Sequence, residues 1–179
     1  MSIEKVDFHS IFSNEGDVLY SGLSKLDPDG FNNWVSCNFN EIAFITSLSQ
    51  ICPDKSFLKE LAEAGYFHRE SQCHYSAKAV CLLSDNVDCY TGFVVRDDSC
   101  CGIITHSFNF YNSQIIDLSR LDSNYNILER LGNTLPHTYF GVKLPKSFLQ
   151  QYTDLVLNQY SMNPLLLEWY LECTNPIHH

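Results

Sequence analysis

The sequence predicts an α+β fold in which helices pack on a small antiparallel sheet. Two patterns support this class: apolar residues recur at helical spacing in several segments, and short runs rich in β-branched and aromatic residues follow one another with turn-type linkers. No repeat, low-complexity tract or linker divides the chain. Its 179 residues, 45% of them hydrophobic, are enough to bury one substantial core. We therefore expect a single domain over residues 1–179.

Helical periodicity predicts five helices. Asn40 and Asp54 are candidate N-caps, and Gly65 is a candidate C-terminal stop. Pro145 and Pro164 stand where a helix can begin, because proline is tolerated in the first turn. The expected helices cover about residues 40–51, 54–65, 72–84, 145–156 and 164–171. The third of these is mostly apolar, so we expect it to be the central helix.

Four β-type runs predict strands at about residues 88–96, 102–111, 114–118 and 138–144. The linkers at 97–99 and 112–113 have the composition of hairpin turns, which join antiparallel neighbours. Residues 1–39 carry no clear periodicity, with a turn signal at 27–30. For that segment we expect short strands or an irregular lead-in.

The formal net charge of −10 limits the partners of this protein. Nucleic-acid binders need basic patches to displace counterions, and anionic membranes are disfavoured for the same reason. The chain begins without a basic, apolar leader and has no run near the ~18 apolar residues of a membrane span. We expect neither nucleic acid nor membrane as a partner, and a cytoplasmic protein or an effector delivered into a host cell. The oligomeric state is left open.

The eight cysteines lack the regular spacing of a disulfide framework, so we expect mostly reduced core thiols. The alternative is a zinc site built from Cys73, His74, Cys100, Cys101 and His68, which are all soft ligands. No Cys-x-x-Cys or His-x-x-x-His pair occurs, and adjacent cysteines rarely reach one tetrahedral ion, so we expect no metal. Phosphate-loop and dinucleotide motifs are absent as well, and no cofactor is expected.

One cysteine stands where the central helix is expected to begin. At the first turn, the unpaired backbone N–H groups and the positive end of the helix dipole favour the thiolate of Cys73 over its thiol. Such a nucleophile needs an imidazole as its proton partner, and the imidazole needs a carboxylate that fixes its tautomer. His106 and Asp117 follow in that order on two predicted strands. We therefore expect Cys73, His106 and Asp117 to be the catalytic residues.

The predicted strand at 102–111 alternates between two faces. His106 and Phe108 share one face, and Ser107 and Asn109 point the other way. We expect the face with His106 to be the one that the central helix covers. Asp117, inside an Ile-Ile-Asp-Leu run, is costly to bury unless a positive or hydrogen-bonding group receives it, as an imidazolium would.

A cysteine that starts a central helix, then a histidine on a strand, then an aspartate on the next strand resembles the papain-like and transglutaminase-like cysteine enzymes. The resemblance is carried by Gln-Cys-His at 72–74, His-Ser-Phe at 106–108 and Ile-Ile-Asp-Leu-Ser at 115–119, and small microbial members are the most similar. It covers about residues 72–119. It implies a papain/transglutaminase-like core and acyl transfer through a thioester on a peptide or protein substrate. The implied reactions are peptide hydrolysis, glutamine deamidation and transfer to an amine.

One position departs from the papain pattern. Phe67 stands about six residues before Cys73, where papain-type enzymes carry a Gln or Asn that donates to the oxyanion. Gln72, His74 and the backbone N–H groups at the helix start are the remaining candidates for binding the oxyanion or the substrate.

Each candidate residue also has a purely structural interpretation. Free cysteine is among the most buried residue types, so Cys73 would be a core thiol, His106 a core histidine and Asp117 a strand-end residue. The alternative to an enzyme is then a noncatalytic protein-binding module on the same scaffold, which would not need a reachable, low-pKa thiolate. An acidic inhibitor that imitates nucleic acid rests on the net charge alone, and the acidic residues are dispersed along the chain.

Overall fold

The computed structural model describes residues 28–70, 72–96, 103–128, 136–151 and 165–174. Within these ranges helices pack on a five-stranded antiparallel sheet, so the predicted α+β class is confirmed. The elements in chain order are α1 (Pro28–Asn38), β1 (Asn40–Ile45), α2 (Lys55–Glu63), α3 (Cys73–Leu83), β2 (Asp88–Arg96), β3 (Ile103–Tyr111), β4 (Gln114–Ile116), β5 (His137–Leu144), α4 (Lys146–Gln151) and α5 (Leu165–Thr174). None of the described helices is both long and apolar enough to cross a bilayer.

The sheet has the strand order β1-β5-β2-β3-β4, with every neighbouring pair antiparallel. β2 lies at the centre, and its Gly92 is paired with His106 on β3 and with Gly141 on β5. A Cβ atom on Gly92 would collide with the carbonyl oxygen of Phe140. Only glycine therefore allows β2 and β5 to approach this closely beside His106.

The two faces of the sheet are covered by different parts of the chain. One face, with Phe93, Phe140 and Leu144, packs against α1, α3, α4 and α5 in two hydrophobic clusters. The opposite face, with Val94 and Tyr139, packs against apolar residues from β1, β4 and the short turn after β1. α2 instead packs beside α3 and the segment that follows β4. The start of α3 lies where these layers meet.

Most of the predicted helices are present. The Asp54 side chain accepts a hydrogen bond from the Phe57 N–H at 2.8 Å, so Asp54 caps α2 as expected. Gly65 takes a φ of +95° just after that helix, which is the left-handed conformation of a C-terminal stop. α3 begins at Cys73, as predicted. α4 and α5 confirm the last two helices as far as they are described, and residues 152–164 lie outside the described residues.

The helix predicted over residues 40–51 is wrong. Residues 40–45 form β1, an edge strand paired with β5, and a short 3-10 turn follows at Leu48–Gln50. Ile45 and Ile51 nevertheless reach the same hydrophobic cluster, with Ile42 packed against it. The apolar spacing thus indicated one buried side correctly, but pairing with β5 decided the backbone conformation.

The four predicted strands are present, but β4 ends at Ile116, so Asp117 lies just after it at the start of a short 3-10 turn and not on the strand. Asn112 and Ser113 have φ values of 49° and 62°, as in the two-residue hairpin turn with positive φ at both positions that was expected between β3 and β4. The turn predicted at 97–99 lies outside the described residues. Residues 28–38 form α1 and not short strands or irregular chain, because Pro28 fits the first position of a helix. Residues 1–27 also lie outside the described residues.

Candidate active site

The Cys73 thiol stands at the first residue of α3. Gln72 precedes it, and the Gln72 carbonyl oxygen accepts the Ser76 N–H at 2.9 Å to open the helix. The N–H groups before Ser76 therefore have no carbonyl partner within the helix. Cys73 is partly exposed, whereas Cys81 on the same helix is buried. Burial is nevertheless the largest influence on the pKa of its thiol, so the sulfur is mostly enclosed at the positive end of α3.

His106 joins this thiol to a carboxylate. The ring lies on β3 and is 7% exposed. Its Nε2 atom is 2.6 Å from Oδ2 of Asp117, which leaves Nδ1 for another partner. Against the effect of burial, the ring and the Cys73 thiol shift each other's pKa, which places the two groups near each other. The structure therefore brings the three predicted catalytic residues together, with a hydrogen bond between His106 and Asp117 and with the Cys73 thiol near the same ring.

Asp117 is held by four donors. Besides His106, its Oδ2 atom accepts from the Tyr139 hydroxyl at 2.9 Å and from Arg120 Nε at 3.3 Å, and its Oδ1 atom accepts from the Ser119 hydroxyl at 2.7 Å. Burial alone raises the pKa of this carboxyl, but His106, Arg120 and Ser119 outweigh burial and hold the pKa well below its usual range. The buried group is therefore a carboxylate at neutral pH.

On its β4 side, β3 has a free edge at the position of His106. β4 pairs with β3 only over Asn109–Tyr111, so within the described ranges no strand lies beside His106 on this side. α3 packs on the face of Asn109, whose Nδ2 atom donates to the Ala77 carbonyl oxygen at 2.8 Å. The expectation that α3 covers the face of His106 and Phe108 is therefore wrong. Alternation sorts residues into two faces but does not say which face a helix covers.

The open edge explains how the thiol still reaches His106. α3 starts beside this edge, because its second residue, His74, contacts Ser107 on β3. Ser107 and His106 point to opposite faces of β3, and within the described ranges no strand flanks β3 at this position on the β4 side. The first turn of α3 therefore contacts one face through His74 and reaches the other through Cys73.

His74 is a second imidazole on the same thiol. Its Nδ1 atom is 2.7 Å from Oγ of Ser107, and the Ser107 hydroxyl donates to Oγ1 of Thr91 at 3.0 Å. A hydroxyl has one proton, so Ser107 accepts from His74, and this hydrogen-bond pattern assigns a proton to Nδ1 of His74. The His74 ring also acts, after His106, to lower the pKa of the Cys73 thiol against the effect of burial.

Electrostatics favours a charged pair in the resting site. Burial raises the pKa of the Cys73 thiol, but the attraction of His106 and His74 and their hydrogen bonds outweigh burial and hold the pKa well below its usual range. Burial lowers the pKa of His106, but Asp117 and Cys73 raise it to about 10. By contrast, burial raises the pKa of Cys81 on the same helix. Near neutral pH the site holds a thiolate and an imidazolium.

The candidate oxyanion donors lie at the helix start. The Gln72 side chain makes no capping hydrogen bond and is partly exposed next to Cys73. The first backbone N–H groups of α3 point the same way as the positive end of the helix dipole. Phe67, at the position where the papain pattern has an amide donor, is 69% exposed and offers no side-chain hydrogen bond. Gln72 and the backbone are therefore the available donors.

The other described cysteines differ in burial from one another. The expectation of core thiols is met by Cys81 and Cys89, which are buried, but not by Cys37 and Cys173, which are exposed. In the part of the chain that the structure describes, no three His, Cys, Asp or Glu side chains are placed to hold a metal ion. The cysteines at 100–101, which the zinc alternative used, lie outside that part.

The sequence interpretation missed the residues that support Asp117. Ser119 and Arg120 stand two and three residues after Asp117, so their proximity in the chain was a usable signal. Tyr139 lies on β5, 22 positions after Asp117, and nothing in the sequence indicates that its hydroxyl reaches the carboxylate. The hydrogen bond between His74 and Ser107 could not be predicted from the sequence either, because it depends on where α3 packs.

Comparison with protein-family models, with curated proteins and with solved structures finds no match to this chain. The function is therefore inferred from the chain's own residues. The contacts around the Cys73 thiol carry that inference.

Proposed function

We propose that this protein is a cysteine-dependent amide hydrolase or acyltransferase with a papain-like or transglutaminase-like core, acting on a peptide or protein through a thioester. The observation that supports it most is the 2.6 Å contact between the His106 ring and the buried Asp117 carboxylate, beside a Cys73 thiol whose pKa the same imidazole lowers. A buried aspartate, an imidazole and a cysteine at a helix start are the parts that this chemistry needs.

In the first half of the proposed reaction, the Cys73 thiolate attacks the carbonyl carbon of a carboxamide or peptide bond and a C–S bond forms. The carbonyl oxygen becomes an oxyanion, which the N–H groups at the start of α3 and the Gln72 amide stabilise. His106 then gives its Nδ1 proton to the leaving nitrogen as the C–N bond breaks. Ammonia leaves from a glutamine side chain, or an amine from a peptide, and the acyl group stays on sulfur as a thioester.

In the second half, water or an amine attacks the thioester. His106, now neutral, accepts the proton of the incoming nucleophile, and the C–S bond breaks to restore the thiolate and the imidazolium. Asp117 stabilises that imidazolium and keeps Nε2 occupied, so that Nδ1 always faces the reacting atoms. Hydrolysis, deamidation and transfer to an amine share these steps and differ in the acyl donor and acceptor.

The test is capture of the acyl-enzyme. Incubation with p-nitrophenyl acetate should acetylate Cys73 selectively, as seen by peptide mass spectrometry, and the acetyl group should leave again by hydrolysis or on addition of a primary amine. A library of glutamine-containing peptides, read for deamidation or amine incorporation, then asks whether amides are turned over. The Cys73→Ala variant should fail in both assays.

Two outcomes would contradict the proposal. Acetylation spread over the exposed Cys37 and Cys173 with Cys73 unmodified would mean that the thiol at the helix start is not activated. Normal biological effect from a folded Cys73→Ala protein would leave the noncatalytic binding module as the better account.

A further inference from the structure

Two cationic side chains bind the same oxygen of Asp117. Oδ2 of this carboxylate lies 2.6 Å from Nε2 of His106 and 3.3 Å from Nε of Arg120. Two atoms that contact one oxygen cannot be farther apart than those two lengths together, so the guanidinium and the imidazole are close neighbours. All three residues are buried, with Arg120 only 5% exposed. Their charges therefore act on one another with little screening by water.

The backbone fixes Arg120 independently of His106. Arg120 ends the 3-10 turn at Leu118–Arg120, where its N–H donates to the Asp117 carbonyl oxygen at 3.2 Å. Its own carbonyl oxygen accepts the Leu128 N–H at 2.8 Å. Buried leucines at both ends of this turn pack in one cluster with α2 and α3. The position of the guanidinium therefore does not depend on whether the imidazole carries its proton.

Three further titratable groups face this site from other elements. Burial and the nearby Asp117 carboxylate raise the pKa of the Cys52 thiol and that of the Tyr139 hydroxyl, so both groups are neutral near neutral pH. His74, on α3, binds a hydroxyl on the opposite face of β3. In the part of the chain that the structure describes, the cations paired with the carboxylate are this imidazolium and this guanidinium.

The charges of the site balance before and after acyl transfer because of Arg120. In the resting site, the Cys73 thiolate and the Asp117 carboxylate face the His106 imidazolium and the Arg120 guanidinium. In the proposed reaction the thiolate becomes a neutral thioester, and the imidazolium proton leaves with the amine or ammonia. Asp117 and Arg120 then remain as one balanced pair. Without Arg120, the acyl-enzyme would contain an unpaired buried carboxylate, which would hold a proton on His106.

We propose that Arg120 is a positioning residue that acts through Asp117: it pairs with the carboxylate once His106 has lost its proton, and so lets the neutral ring serve as a base. The inference rests on the proposed function and concerns its second half. There the ring takes a proton from water or an amine as the new bond to the acyl carbon forms and the C–S bond breaks. A guanidinium this close disfavours a second positive charge on the ring, so its removal should raise the pKa of His106 in the acyl-enzyme.

The experiment measures deacylation of the acetyl-enzyme as a function of pH. The intact protein is acetylated at Cys73 with p-nitrophenyl acetate, and loss of the acetyl group is followed by mass spectrometry from about pH 5 to about pH 10. Deacylation should fall on the acidic side, where His106 gains a proton and cannot accept another. In Arg120→Gln this acidic limb should move up by roughly one to two pH units, with the rate recovered above it, because one nearby positive charge is gone.

Two further variants identify the charge as the cause. Arg120→Lys keeps a positive charge beside the carboxylate, so its acidic limb should stay within about half a pH unit of the original even where the rate falls. Lys59→Gln removes the same charge from an exposed residue on α2 and should leave the profile unchanged. Thermal melts of each variant at the pH of the assay show that the protein being measured is folded.

A measurement on the unchanged sequence covers the case in which Arg120→Gln does not fold. Iodoacetamide converts the Cys73 thiolate into a neutral thioether, which has the same charge as the thioester of the acyl-enzyme. With Arg120 still on the carboxylate, the His106 ring should then lose its proton well below the pKa of about 10 that it has in the resting site. NMR of the ring nitrogens reports that titration.

Two results would overturn the role of Arg120. One is an acidic limb that stays in place in folded Arg120→Gln, or that moves equally far in Arg120→Lys. The other is a His106 ring that stays protonated up to about pH 10 after Cys73 is alkylated. Normal acetylation of Cys73 with either result removes this role alone. Failure of p-nitrophenyl acetate to acetylate Cys73 removes the proposed function and this role with it.

Discussion

Nε2 of His106 lies 2.6 Å from Oδ2 of Asp117, and that oxygen also accepts the Tyr139 hydroxyl at 2.9 Å. Because Tyr139 belongs to β5 and Ser119 holds the other carboxylate oxygen, the orientation of Asp117 does not depend on His106. The carboxylate is fixed by the fold and in turn fixes the ring. This is the arrangement expected of a group that orients a base.

Replacing Cys73 by Ala should abolish acyl transfer, because no thioester can form. Cys73 is a small, partly exposed residue at a helix end, so the free energy of unfolding should change by about 1 kcal/mol. Amide turnover and denaturant unfolding measure the two effects. Cys37→Ala, which removes an exposed thiol from α1, is the matched control and should keep full activity; a similar loss in both variants would contradict a special role for Cys73.

The pH dependence of alkylation should set Cys73 apart from the other thiols. Since its pKa is lowered, the thiolate persists as the pH falls, and its rate with iodoacetamide should be nearly the same at about pH 6 and pH 8. An ordinary thiol loses about 100-fold over that interval. Mass-spectrometric rates for each cysteine decide this, and a 100-fold fall at Cys73 would contradict the thiolate–imidazolium pair.

Acyl transfer should also have a basic limit that alkylation lacks. The pKa of His106 is raised to about 10, so the ring is protonated below that pH and loses its proton above it. Release of the leaving nitrogen needs this proton, whereas displacement of iodide does not. Turnover should therefore fall above about pH 10 while the alkylation rate holds. Two profiles that fall together there would point to unfolding, which circular dichroism at each pH would reveal.

Comparing Asp117→Asn with Tyr139→Phe should distinguish the effect of the Asp117 charge from that of the Tyr139 hydrogen bond to it. The first removes the buried charge, so it should lower the rate roughly 10³–10⁴-fold and destabilise the fold by about 3 kcal/mol. The second leaves the carboxylate with its other donors and should cost less than about tenfold in rate and about 1–2 kcal/mol in stability. Kinetics and chemical denaturation test both, and equal losses of rate would contradict the role given to the charge.

Gly92→Ala should be among the most damaging changes outside the site. Its Cβ atom would collide with the Phe140 carbonyl oxygen, and β2 and β5 cannot separate without disturbing the strand that carries His106. We expect a loss of at least about 3 kcal/mol. Gly65→Ala is the control, since its Cβ meets nothing within 4 Å and only its φ of +95° opposes the change, at about 1–2 kcal/mol. A smaller loss at Gly92 than at Gly65 would contradict the close approach of the strands.

Local patterns predicted α2, α3 and the strands of the central sheet because each depends on residues near one another in the chain. Asp54 caps its own helix, and Asn112 and Ser113 make their own turn. The segment at 40–51 failed because its apolar spacing fits either a helix or a strand followed by a turn, and pairing with β5, almost 100 residues later, decided the outcome.

The sequence by itself determined that a cysteine would begin a helix, that a histidine would follow on a strand and that an aspartate would come next along the chain, because periodicity and chain order are local properties. It did not determine that β4 ends at Ile116, so that Asp117 begins a 3-10 turn. The tertiary structure decided which face of the sheet α3 covers, that β4 ends before His106 and leaves an open edge, and that Tyr139 reaches Asp117. These depend on contacts between distant segments, whose free energies are set by packing against one another and not by any one segment.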